Sequence, residues 1–146
     1  MMGEEDSKAL ANAGSHGIRV HFECSAPMSA EEFGRYVGTG MLEMAGDLTR
    51  QGAMIGHIKA FVRGQEGTVR LNLVDPDLGV DRVDTYGSRK VTTGSMSLMT
   101  VVVGADDCQV KEAVERYLRS LEGRLRILKV EQGGHEEDEH RLVGLE

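Results

Sequence analysis

The chain has no tryptophan, and aromatic residues make up only 4% of its 146 positions. Its core must therefore come from Val, Leu, Ile, Met and Ala. Cysteine is also sparse. Cys24 and Cys108 stand alone, with no CxxC or Cys/His spacing, which argues against a zinc ribbon or finger. Two isolated thiols fit a reducing compartment. No apolar run reaches the length of a membrane-spanning helix. The acidic opening MMGEEDSKALANAGSHG has no hydrophobic region of a secretory leader, so the expected location is the cytoplasm. The GxxxxGK[ST] phosphate loop is missing. Asp75, Asp77, Asp81 and Asp84 lack EF-hand spacing and its closing Glu. No metal or cofactor is expected.

What is present fits one domain with one sizeable core. Eight Met residues suit an adaptable core, since the thioether chain fills irregular gaps. The net charge of −7 is unevenly placed. Residues 1–16 carry −2 and residues 132–146 carry −4, which leaves −1 for residues 17–131. The acidity belongs to the ends, so the chain's overall sign does not exclude an anionic partner for the middle. Residues 1–16 read as a disordered segment, 17–131 as a single domain, and 132–146 as a flexible acidic tail.

In GIRVHFEC, residues 17–24, Ile18, Val20 and Phe22 alternate with Arg19, His21 and Glu23, the period of a half-wet strand. Ser29 and Glu32 form a capping-box pattern, predicting a helix that starts there. Phe33, Val37, Met41, Met44, Ala45 and Leu48 give that helix its apolar stripe. Gly34, Gly38 and Gly40 cost helix stability, and this points to close approach by the sheet or a second helix. Residues 54–75 read as a hairpin turning at Gly64-Gln65-Glu66-Gly67. Its alternation sends Met54, Gly56, Ile58, Ala60 and Val62 inward, and Ile55, His57, Lys59, Phe61 and Arg63 outward.

Residues 76–95 show no strong period, apart from a weak strand at 80–85, and DPDLG reads as turn chemistry. MSLMTVVV, residues 96–103, reads as a buried strand. A second helix follows, capped by Asp106 or Asp107, with a last strand at 125–131. The order is β-α-β-β-(β)-β-α-β. It predicts an α+β, two-layer sandwich with a mostly antiparallel sheet and both helices on one face. The architecture resembles the ferredoxin-like superfold, which hosts many unrelated functions and transfers no site residues. If the weak strand forms, the strand before the second helix runs opposite to the first. If it does not, Cys24 and Cys108 share one edge of the sheet.

Four groups could carry chemistry. The outer sheet face gathers His57, Lys59, Phe61, Arg63, Arg70 and Asn72, joined by Arg19 and His21. Cations around an aromatic suit a single-stranded nucleic acid. A single ring is a poor platform, however, and nucleic acid is disfavoured. Ile55, Phe61 and Val74 on that face favour a subunit contact instead. His21, Glu23 and His57 could converge as a two-His, one-carboxylate set, though surface residues are the default reading. Cys108, in the first turn of the second helix, reads as a structural thiol because Asp106 and Asp107 oppose its activation. Cys24 reads as a small hydrophobe at a strand end.

The fourth group is the loop 86–95, whose Ser88, Arg89, Lys90, Thr92 and Thr93 could wrap a small anion. No nucleophile–base pair stands out, and no catalytic residue is assigned. The leading expectation is a non-enzymatic binding or assembly module that forms a homo-oligomer through its open sheet face or an edge strand. An enzyme using the 76–95 loop with His57 or His21 as acid/base is the second. A nucleic-acid binder using the basic face is the third.

Overall fold

A computed structural model describes residues 13–133. It holds six strands and two helices. The strands are β1 (Ala13–Ser29), β2 (Met54–Gly64), β3 (Thr68–Leu73), β4 (Asp81–Asp84), β5 (Lys90–Val103) and β6 (Leu125–Gln132). The helices are α1 (Ala30–Arg50), between β1 and β2, and α2 (Asp107–Leu121), between β5 and β6. The fold is α+β, with one antiparallel sheet in the order β4-β3-β2-β5-β1-β6. The weak strand at 80–85 forms as β4, and β5 accordingly runs opposite to β1. Cys24 and Cys108 therefore lie at opposite ends of the sheet.

Both long strands exceed the expected spans. β1 begins at Ala13, where a disordered segment is expected, and continues past Cys24 to Ser29. β5 begins at Lys90 rather than Met96, because Lys90 and Val91 pair with Ser29 and Met28 beyond an irregularity in β1. Residues 90–95 are thus ladder rather than loop. The rest of the N-terminal segment and the acidic tail lie outside the described residues.

Helix α1 starts as its sequence predicts, with Ser29 Oγ accepting from Glu32 N–H at 3.0 Å. The second half of the capping box is absent because the Glu32 carboxylate turns to Arg124. Helix α2 has a full capping box: Asp106 Oδ1 accepts from Gln109 N–H, and Gln109 Oε1 accepts from Asp106 N–H. The predicted stripe of α1 is buried throughout. It packs with Val110, Ala113, Val114, Tyr117 and Leu121 of α2 over Ile18, Val20, Phe22, Ile58, Val62 and Leu98 of the sheet. Phe22 stacks on Phe33 at 5.4 Å between centroids. Tyr117 Oη donates to Val37 O at 2.9 Å and ties the two helices together. The glycines of α1 mark close approaches: a Cβ on Gly40 would sit 2.4 Å from the Tyr117 ring, and one on Gly38 would touch Val80 at 3.6 Å.

One local feature changes the face assignment of β2. Opposite β5, Ile55 pairs with Val102 while His57 pairs with Val101, so Gly56 is an extra residue in a bulge. Ile55 therefore packs against the core, not on the outer face. Strict alternation through Gly56 cannot anticipate this, because a bulge shifts the phase of everything before it.

Candidate anion-binding pocket

The turn between β2 and β3 (residues 65–67) leads to β3, where Thr68 pairs with Arg63, and Arg70 with Phe61. That register places Arg63, Arg70 and Phe61 together on the helix-free face. The loop between β4 and β5 then brings in a third guanidinium. Tyr86 N–H donates to Asp84 Oδ1 at 3.1 Å, and Arg89 N–H donates to Tyr86 O at 3.1 Å. These bonds fold residues 85–89 back against the turn. Thr85 Oγ1 accepts from Thr68 N–H at 2.9 Å, and Arg89 Nη1 donates to Glu66 O at 3.3 Å. Tyr86, 2% exposed, anchors the loop in the core.

The result is an open cavity of about 520 Å³ lined by Phe61, Arg63, Arg70, Arg89, Thr68, Thr85 and the turn 64–67. Its size falls within the roughly 300–1,000 Å³ range of small-molecule sites. The Arg70 guanidinium lies over the Phe61 ring, 4.5 Å from its centroid, a cation–π contact that fixes its position. Arg63 makes no ion pair among the described residues. Among the described residues Glu66 is the only carboxylate in the lining, and its Oε2 stands 3.8 Å from Arg89 Nε. Arg63 and Arg89 set against Glu66 leave a local excess of positive charge beside Arg70. Arginine also has the planar, multi-donor geometry that suits carboxylate and phosphate oxygens.

Two expected groups are thus partly merged. From the sheet face, Phe61, Arg63 and Arg70 line the cavity, while His57, Lys59 and Asn72 share the face but lie nearer the other end of the strands. From the loop, only Arg89 lines it. Ser88 is exposed beside the cavity, and Lys90, Thr92 and Thr93 belong to β5. Lys90 stands close enough to Glu32 to help lower its pKa. Thr68, Thr85 and Glu66 are additions the sequence reading missed. The hairpin register could have placed Thr68 across from Arg63, but Thr85 and Arg89 arrive through the tertiary path of β4.

The other groups do not assemble. His21 faces Ser95 and His57 faces Val101, six residues apart along β5. At about 3.3 Å per residue that separation is roughly 20 Å, too far for one metal ion. His21 instead bonds Glu131 Oε1 at 2.9 Å and holds that carboxyl below its ordinary range. Neither His57 nor His21 lines the cavity. Phe61 is only 8% exposed, so no open ring is offered for base stacking. With Ile55 packed against the core and Phe61 covered, Val74 alone remains of the expected apolar patch, 52% exposed. Cys24 is buried, and burial pushes its thiol up to about 11 against the opposing pull of Arg124. Cys108 is exposed, so it is not the packed structural thiol expected.

A larger cavity, about 670 Å³, lies between α1 and the end of α2. Its cations are already engaged: Arg124 bonds Glu32, and Arg35 bonds Glu31 at 2.9 Å. Glu43 adds further negative charge, so this groove offers an anion little. Among the described residues no helix is long and apolar enough to cross a membrane. No protein-family model matches the sequence, and searches of curated proteins and of solved structures return no match.

Proposed function

We propose that this protein is a small binding module whose ligand is a compact anion carrying a phosphate or carboxylate group. The observation behind this reading is the convergence of Arg63, Arg70 and Arg89 on one cavity whose lining, among the described residues, contains a single carboxylate. Arg63 is the primary contact, because its charge is spent on no ion pair among the described residues. Arg70 is held in place by Phe61, and Arg89 by the backbone of Glu66. Neither His57 nor His21 lines this cavity, so neither imidazole can act there as acid or base, which favours binding over the imidazole-dependent turnover expected as the alternative.

We also favour the ferredoxin-like reading of the fold. Without β3 and β4 the order is β2-β5-β1-β6, with helices after the first and third strands in chain order. Under this reading β3 and β4 are an insertion that extends the sheet, and the pocket is built at the β2–β3 turn where that insertion begins. The fold itself assigns no ligand.

Titration calorimetry with inorganic pyrophosphate tests the functional reading. Binding should weaken steeply as salt rises, since guanidinium–anion contacts in an open site are screened. Arg63→Gln should lower affinity by about tenfold, on the order of 1.4 kcal/mol. Lys59→Gln, on the same face but outside the lining, should change it little. Equal losses in both variants, or no binding of pyrophosphate or citrate at low salt, would refute the proposal.

A further inference from the structure

Strand β6 ends one side of the sheet, and its outer rim pairs with no strand among the described residues. Two hydrogen bonds fix which of its residues turn inward. Gly133 N–H donates to Gly17 O at 2.8 Å, and Ser25 N–H donates to Arg124 O at 2.9 Å. In an antiparallel ladder, residues bonded to the neighbour alternate with residues whose N–H and C=O point away. Counting from Gly133, residues 131 and 129 bond inward; counting from Arg124, residue 126 does. Leu125, Ile127, Val130 and Gln132 are left pointing outward. The two series differ by one step, and a bulge at Leu128 absorbs it: His21 faces Lys129 while Phe22 faces Ile127.

The side chains follow the same division. Ile127 and Val130 lie opposite Phe22 and Val20, on the helix side of the sheet. Arg126 and Glu131 lie opposite Glu23 and Arg19, on the other face. Arg126 is exposed and makes no ion pair among the described residues. Glu131 engages His21 and Lys129 through Oε1 alone, at 2.9 and 3.5 Å, which leaves Oε2 for another donor. Leu128 and Val130 are 55% and 41% exposed, high for large apolar side chains on a strand.

We propose that β6 pairs antiparallel with β6 of a second copy, about a two-fold axis beside Leu128 and Lys129. A single register joins all four outward residues: Ile127 faces Val130 of the second copy, and Leu125 faces its Gln132. The same register sets Arg126 against Glu131 of the second copy on the helix-free face. By symmetry each contact occurs twice, as an isologous interface requires. The strand complements itself where Arg126 meets Glu131 and Ile127 meets Val130, while Lys129, which approaches its own copy near the axis, is paired with Glu131 of its own strand at 3.5 Å; this pattern selects a second copy over an unrelated strand. A bulge and a lysine usually blunt an edge. Here the bulge brings Ile127 and Val130, three residues apart, into the same outward phase. The opposite edge, β4, is only four residues long and is bounded by Asp81 and Asp84, a short acidic edge that resists pairing. Because β6 and the β2–β3–β4 region lie on opposite sides of the sheet, the arginine pocket stays open in both copies.

The test is the mass of the full chain in solution, by light scattering and native mass spectrometry over a wide concentration range. The wild type should dimerise. Arg126→Glu and Glu131→Arg, made separately, should each weaken self-association at least tenfold, because like charges then meet twice. An equimolar mixture of the two variants should recover the dimer, since opposite charges meet again in both pairs. Two misfolded chains would not regain that mass, so the mixture separates lost contact from lost fold. A wild type that stays monomeric, a dimer that survives both substitutions, or a mixture that stays monomeric overturns the proposal.

Discussion

Thr100 lies in β5 with its side chain fully buried, and its Oγ1 meets no hydrogen-bond partner among the described residues. A buried hydroxyl without a partner costs on the order of 1–3 kcal/mol relative to a satisfied one. Valine has the same shape without the hydroxyl. Thr100→Val should therefore raise stability by about 1 kcal/mol, measured as a higher urea midpoint at unchanged slope. A lower midpoint would mean that the hydroxyl is satisfied in solution. This position also shows what residue-level reading misses. Thr100 keeps the inward phase of Leu98 and Val102, yet nothing local reveals that it is sealed from water. Arg63 and Arg70 are the converse case. Their outward phase was legible from alternation, but the fixing of Arg70 by Phe61 depends on cross-strand register.

At the scale of elements, the glycines of α1 divide by what their missing Cβ would meet. A Cβ on Gly40 would come within 2.4 Å of Tyr117 Cε1, and that ring is buried and bonded to Val37 O. Gly40→Ala should lose about 1–3 kcal/mol to overpacking, despite a helix-propensity gain of about 1. A Cβ on Gly46 would meet only the end of the Arg50 side chain, at 3.3 Å, which can move. Gly46→Ala should gain up to about 1 kcal/mol. Thermal melts of the two variants should shift in opposite directions; a stabilised Gly40→Ala would show that α2 can back away. Both helices, the stripe of α1 and, to within one residue, the α2 cap were legible because they are local patterns. The bulges at Gly56 and Leu128 were not, because a bulge exists only relative to a partner strand. Pairing of Lys90–Ser95 with the far end of β1 is likewise long-range, so a polar, hydroxyl-rich stretch read as loop. Arg89 was correctly placed in a loop, but its meeting with the hairpin depends on β4 as a spacer.

At the scale of the molecule, an exposed ion pair and a half-buried histidine–carboxylate hydrogen bond fasten the β6 side of the sheet. The Arg124 guanidinium, just before β6, bonds Glu32 in the first turn of α1 and lies 5.6 Å from the Tyr36 ring centroid. Tyr36 Oη donates to Leu121 O at 2.9 Å, tying the end of α2 to α1. Within the sheet, Glu131 bonds His21 of β1. The hydrogen bond from Arg124 holds the Glu32 carboxyl below its ordinary 4.5, and the bond to His21 does the same for Glu131. A carboxyl with a depressed folded pKa takes up its proton more readily in the unfolded chain. The stability it contributes is present in full above about pH 4.5 and is lost as the pH falls through the folded value. Both residues are open to solvent, so the effect is modest and weakens with salt. Urea midpoints measured at pH 7, 4 and 3 should fall more steeply for the wild type than for Glu32→Gln/Glu131→Gln. Hydrogen exchange should report the same loss locally, with β6 amides opening at low pH before those of β5, which is paired on both sides. Parallel pH profiles for the two proteins would show that these pairs form without holding β6, and that its packing through Leu125 and Ile127 is sufficient.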